Sequence, residues 1–161
     1  MAPQSVKAIP DGYHTLTPGL TVRDGKKAIE FYKKAFGAQE VFRMDGPNGR
    51  LMHAELNIGT SKIMLGEEMP QMGCLSPESL KGTPASFYLY VENADAAFAQ
   101  AVAAGAKPVK PVTDMFWGDR QGEVTDPFGH RWSVATHKED LTHQQIEERA
   151  KEFFAGMAHG K

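Results

Sequence analysis

A chain of 161 residues with 41% hydrophobic and 24% charged residues has the composition of a globular protein with a core of its own. A net charge of -2 gives no electrostatic basis for binding nucleic acid or an anionic membrane surface. No apolar run approaches membrane-spanning length.

Met1 to Pro10 lacks the apolar core of a signal peptide and reads as a short disordered lead. Leu16–Val22 is expected as the first strand. Asp24 then caps a helix that Gly37 closes, with Ala28, Ile29, Phe31, Tyr32, Ala35 and Phe36 forming its apolar stripe. Strands follow at Glu40–Met44, Leu51–Ile58 and Lys62–Gly66, separated by Gly- and Asn-rich turns. Residues 67–84, with three prolines, read as a connecting loop or a flap over a pocket. Cys74, the single cysteine, lies there, so no intrachain disulfide exists, which fits a reducing cytoplasm. A strand at Ser86–Val91, a helix at Asn93–Ala104 and strands at Lys107–Val112, Trp117–Thr125 and Arg131–Thr136 come next. In the tail, Thr142 and Gln145 form a capping box for a helix whose Ile146, Ala150, Phe153 and Met157 make one stripe. That stripe needs cover, from the body of the domain or from a partner subunit.

The second half repeats the first. Val22 to Val91 and Asp24 to Asn93 are shifts of 69, and Gly37 to Gly105 and Glu55 to Glu123 are shifts of 68. The organisation expected is a first module at 13–66, a connection at 67–84, a second module at 85–137, and a helix with tail at 138–161. Two copies in one small chain imply a pseudo-two-fold fold with a ligand groove where they meet.

Strand alternation sorts the side chains. His53, Glu55 and Asn57 share one face of their strand, and Met52, Ala54, Leu56 and Ile58 the face toward the helix. Trp117, Asp119, Gln121, Glu123 and Thr125 share a face, as do Ser86, Tyr88 and Tyr90. The helix-free faces are therefore rich in aromatic and polar groups, as a small-molecule pocket or a dimer interface would be.

The segment Leu20-Thr-Val-Arg-Asp, the helix with Ala28-Ile-Glu-Phe-Tyr and Phe36-Gly-Ala resembles the first module of the vicinal-oxygen-chelate superfamily, which includes glyoxalase I, bleomycin-resistance proteins and extradiol dioxygenases. Asp126-Pro-Phe-Gly-His130 followed by Trp132 is similar to the turn before that family's last strand. Met115-Phe-Trp-Gly-Asp-Arg-Gln-Gly-Glu123 and Leu51-Met-His-Ala-Glu-Leu narrow the resemblance to the PhnB-like, glyoxalase/bleomycin-resistance subgroup. The implied fold is α+β: two βαβββ modules with curled mixed sheets enclosing a groove, plus here a C-terminal helix. Metal-using members take four ligands from the first and last strands of each module. Those positions fall on Thr17, Met64, Ser86 and Ser133, none a usual divalent-metal ligand. The expectation is a groove with no metal and no cofactor.

The candidates follow. His53 and Glu55 could bind a metal, though two residues are too few for a stable site, serve as a base with an orienting acid, or be tied up locally with Lys62 or Arg131. Glu55 and Glu123 are expected to approach across the groove; close together and poorly solvated, one would have a raised pKa and serve as proton donor or base, and the alternative is that each pairs with an Arg or Lys and contributes only structure. Trp117, Asp119 and Arg120 could clamp a ligand beside Tyr88 and Tyr90, provided a bulge at Gly118 or Gly122 brings Arg120 to the face of Asp119. The function expected is sequestration of a small organic molecule by a cytoplasmic homodimer. A lyase or isomerase using Glu123 or His53 as acid or base, with or without a divalent metal, and a groove filled by a partner chain, are the alternatives.

Overall fold

The structure is a computed structural model, and it describes residues 6–158. The chain divides into two compact units, Met1–Gly82 and Thr83–Lys161.

In the first unit, β1 (Gly19–Val22), α1 (Gly25–Phe36), β2 (Gln39–Asp45), β3 (Leu51–Ile58) and β4 (Ser61–Glu67) form a four-stranded sheet of order β1-β4-β3-β2. β1 runs parallel to β4, and the other pairs are antiparallel. α1 forms where expected: Asp24 accepts a hydrogen bond from the Lys27 amide at 3.0 Å, and Gly37 ends it in the left-handed region. Its buried stripe, from Ala28 to Ala35, packs on β2, β3 and β4, and Leu20, Val22, Ala54, Leu56 and Ile63 are buried in the sheet. One row differs from simple alternation. Asp45 pairs with Leu51 but Met44 with His53, so β3 carries an extra residue at Met52. Leu51 is therefore buried, and Met52, expected to face the helix, is exposed.

The stretch 67–84 is better organised than a connecting loop. It holds a 3-10 turn at Pro70–Met72 and a short helix α2 (Pro77–Leu80), and the first unit extends through it to Gly82. Glu68 clasps it, accepting from the Ser76 amide (3.0 Å), the Ser76 hydroxyl (2.7 Å) and the Ser79 hydroxyl (2.7 Å). These bonds, led by that from Ser79 and helped by the charge of Arg23, hold the Glu68 carboxyl down at about 2.

The second unit repeats the plan. β5 (Ser86–Tyr90), α3 (Ala94–Ala104), β6 (Lys107–Asp114), β7 (Asp119–Thr125) and β8 (Arg131–His137) make a sheet of order β5-β8-β7-β6, with β5 parallel to β8. Asn93 caps α3 by accepting from the Ala96 amide at 3.0 Å. The register repeats as well. Met64 pairs with both Gly19 and Glu55, and Ser133, 69 residues on, pairs with both Tyr88 and Glu123. α3 lies close enough to β7 that a Cβ at Gly122 would stand 2.8 Å from the Phe98 ring and from Val112. Before β8, Asp126 braces the turn, accepting from the amides of Phe128 and His130 and from the Trp132 indole, each at 2.9 Å. His130, in this tight turn, is buried.

The tail helix α4 (His143–Ala158) starts with the capping box read from the sequence. The Gln145 side chain accepts from the Thr142 amide at 2.9 Å, and the Thr142 hydroxyl accepts from the Gln145 amide at 3.3 Å. Phe116 packs on Phe153 and Phe154, and Arg149 pairs with Glu139 at 2.8 Å. No described residue of α4 is buried, and Phe153, Phe154 and Met157 remain exposed. Among the described residues, no helix is long and apolar enough to cross a membrane.

Candidate functional site

The helix-free face of the second sheet is organised around one carboxylate. Asp119, the first residue of β7, is only 3% exposed. Its Oδ2 accepts from the Tyr88 hydroxyl (3.0 Å), the Tyr90 hydroxyl (3.0 Å) and the Trp117 indole (3.2 Å). Its Oδ1 lies 2.8 Å from Nδ1 of His137, whose Nε2 lies 2.9 Å from Asp140. The backbone explains the convergence. Tyr88 and Tyr90 alternate onto one face of β5, β8 brings His137 opposite Asp119, and the β6–β7 turn drops Trp117 onto the same side. Trp117 lies in that turn, so the strand expected from Trp117 begins two residues later.

Proton counting fixes the roles. A phenol has one proton and an ionised carboxylate only accepts. The Tyr88 hydroxyl also lies 2.9 Å from the Gln121 side chain. Its proton goes to Asp119, so Gln121 must turn its NH2 toward the phenol oxygen. His137 faces a carboxylate at each ring nitrogen, and only the imidazolium satisfies both; Asp119 first and Asp140 second raise its pKa. Burial pushes Asp119 upward, but the bonds from His137, Tyr90, Tyr88 and Trp117 outweigh it and leave the carboxyl below its usual range. Burial, with the bond to Asp119 and its charge, carries the Tyr88 phenol up to about 12. The phenols therefore stay protonated and the carboxylate ionised. The rings remain open to solvent: Tyr88 is 45% and Tyr90 61% exposed. Beside them an open depression of about 570 Å³ is lined by Tyr90, Val91, Glu92, Thr136 and His137.

Glu123, two pairs along the same face, is 5% exposed. It accepts from the guanidinium of Arg131, through Nη2 and through Nε at 2.8 Å, and pairs with Lys110 at 3.0 Å. Burial alone would raise its pKa, but the two cations bring it below the usual value. Of the two readings, the pairing with Arg and Lys is the one found at Glu123, and the raised carboxyl pKa of a general acid is not.

In the first unit, His53 and Glu55 share the helix-free face of β3, with Nε2 3.4 Å from Oε1. Glu55 accepts the hydroxyl of Tyr13, which, followed by His53 and Lys62, lowers its pKa despite the opposing burial. The expected rise is absent here too.

Arg120 does not join Asp119. β7 and β8 pair without a shift from Asp119 to Thr125, and the irregularities of the β6–β7 pairing fall on β6, so β7 has no bulge and alternation sends Arg120 to the opposite face. There its Nε and Nη2 bind Asp95 at 2.6 and 2.8 Å, and its Nη1 binds Asp114 at 3.0 Å. It anchors the start of α3 to the sheet and is removed from the ligand clamp. Sequence reading missed His137, Asp140 and Tyr13. For His137 a signal existed, because it follows Arg131, Ser133 and Ala135 in alternation.

Thr17, Met64, Ser86 and Ser133, the positions that the family resemblance assigns to metal ligands, offer three hydroxyls and a thioether. That set does not suit a divalent cation. Among the described residues no three His, Cys, Asp or Glu side chains gather into a cation site.

Residues 13–134 match the family described as the Glyoxalase/Bleomycin resistance protein/Dioxygenase superfamily. An uncharacterized protein of Mycobacterium bovis, Mb0911c, is 44% identical over 135 residues, covering 82% of this chain and 89% of that protein. The X-ray structure of the Arabidopsis thaliana At5g48480 product is 33% identical with a TM-score of 0.62, over 76% of this chain and 98% of that one. TioX from Micromonospora sp. ML1 is 28% identical with a TM-score of 0.61, over 76% of this chain and 97% of that one. A PhnB protein from Bacillus cereus, 17% identical, shares the fold at a TM-score of 0.60, over 76% and 99%. The repeated four-stranded sheets, the matched segment and these relatives agree: the chain belongs to the glyoxalase/bleomycin resistance protein/dioxygenase superfamily.

Proposed function

We propose that this protein binds a small planar organic molecule on the helix-free face of its second sheet, as a sequestration- or resistance-type member that works without a metal. The observation that carries this reading is the exposed Tyr88–Tyr90 pair, with ring centroids 5.0 Å apart and both hydroxyls fixed on buried Asp119. Rings held this way lose little freedom when a ligand stacks on them, so more of the stacking energy appears as affinity. The carboxylates fit the same reading. Glu55, Asp119 and Glu123 are all held ionised by donors or cations, which suits a fixed polar surface better than a proton-transfer site.

The reading includes a homodimer, with a second copy of the chain covering the exposed end of α4. The test of binding is ligand-observed NMR with a set of planar aromatic fragments on chelator-treated protein. Fragments that bind wild type should lose about 1–3 kcal/mol of affinity in Trp117→Ala and in Tyr90→Ala. Fragments that bind both variants as well as wild type would refute the assignment.

A further inference from the structure

The first unit carries a second aromatic contact, made by the chain to itself. Of residues 6–16, only Tyr13 is not exposed. Pro10, Asp11, Gly12 and Tyr13 form a tight turn, closed by the Tyr13 amide donating to the Pro10 carbonyl at 3.1 Å, with Gly12 at φ 81° where a glycine is favoured. This turn presents the phenol to the helix-free face of the first sheet. There the hydroxyl donates to Glu55, and the Lys62 ammonium stands 4.8 Å from the centre of the ring. Both partners are braced. The Asn57 side chain accepts from Lys62 at 3.0 Å, and His53 lies 3.4 Å from Glu55. Glu55, Asn57 and Lys62 sit on a regular antiparallel ladder that needs nothing from the leading segment, since Glu55 pairs with Met64 and Asn57 with Lys62.

We propose that Glu55, Lys62 and the side chains that brace them form a phenol-recognition subsite, and that Tyr13 is its tethered occupant. The chemistry is specific to a hydroxylated ring. The ionised carboxylate requires a hydroxyl proton, and the ammonium requires an aromatic face at the distance that the hydroxyl sets. A ring without the hydroxyl keeps the cation contact and leaves the carboxylate without its donor. A free phenol competes with Tyr13, which a short tether holds at a high effective concentration. The leading segment therefore acts as a plug, released by a hydroxyaromatic ligand that binds in its place. This subsite lies within the first unit and does not depend on the reading of the second sheet.

The probe is p-cresol, which reproduces the tyrosine side chain. It is titrated into 15N-labelled wild type, Tyr13→Ala, and Tyr13→Ala combined with Glu55→Gln, following the amides of residues 53–64. If the plug is closed about 90% of the time, Tyr13→Ala binds p-cresol about tenfold more tightly than wild type. Adding Glu55→Gln abolishes most of that gain, and toluene does not reproduce it. Tyr13→Phe, which keeps the ring and the turn, falls between wild type and Tyr13→Ala. Equal p-cresol affinity in wild type and Tyr13→Ala, no saturable shift in Tyr13→Ala while its β3–β4 amides remain native, or toluene binding as well as p-cresol would each overturn the proposal.

Discussion

Asp119→Ala removes the hub of the second sheet's open face. The carboxylate accepts four hydrogen bonds, from Tyr88, Tyr90, Trp117 and His137, at 2.8–3.2 Å. A hydrogen bond to a charged group contributes about 1.5–3 kcal/mol when its donor is left stranded. Here the donors are not fully stranded. Tyr88, Tyr90 and the His137 side chain are 45%, 61% and 52% exposed, so water replaces much of what they lose. Discounting each bond to about 0.5–1 kcal/mol gives a total near 3 kcal/mol. Asp119→Asn keeps the shape and one carbonyl acceptor but loses the charge facing His137, and is expected to cost about 1–2 kcal/mol. Urea unfolding, followed by far-ultraviolet circular dichroism and by tryptophan fluorescence, measures both. A loss below about 0.5 kcal/mol for Asp119→Ala, the range of ordinary surface substitutions, would refute the view that this carboxylate organises the face.

The pH dependence follows from the same cluster. His137 has a folded pKa above its reference of 6.5, so its stabilisation is full below pH 6.5 and is lost as pH rises through the folded value. Asp119 has a folded pKa below 3.8, so its contribution is present above pH 3.8 and fades as pH falls through the folded value. The stability difference between wild type and His137→Asn should be larger at pH 6 than at pH 9; an equal difference at both would contradict the ion pair. Gly122→Ala places a Cβ 2.8 Å from Phe98 and should destabilise by about 1–3 kcal/mol, against no effect if α3 can move away. Light scattering at micromolar concentration should give twice the chain mass. The monomer mass would remove the dimer from the account.

Much of this architecture can be read from residue types alone, because local signals and tertiary packing agree. Asp24 and Gly37 bracket a helix whose apolar stripe is continuous, and Thr142 and Gln145 announce α4 three residues apart. The repeat is legible because its spacing survives where identity does not. The misplacements have physical causes. The extra residue at Met52 inverts alternation at the start of β3, which no residue preference there signals. Arg120 invited a place beside Asp119, but β7 stays regular and Asp95 claims the guanidinium from the far face. His137 ends its strand, where alternation is easily abandoned one residue early. Tyr13 precedes β1 in a stretch with no periodicity, so its attachment to Glu55 depends on a turn and on tertiary contact. Glu55 and Glu123 show a further limit. Sequence places both on helix-free faces but does not say which donors reach them, and those donors decide the sign of the pKa shift.

The most direct test of the binding face is an amide chemical-shift map of 15N-labelled, chelator-treated protein with the tightest planar fragment from the screen. The account predicts saturable shifts concentrated at Tyr88, Tyr90, Trp117, Asp119 and His137, with the Trp117 indole signal among the most displaced. Shifts confined to the α3 side of the second sheet, around Asp95, Phe98 and Arg120, or binding that appears only when a divalent metal is restored, would contradict it.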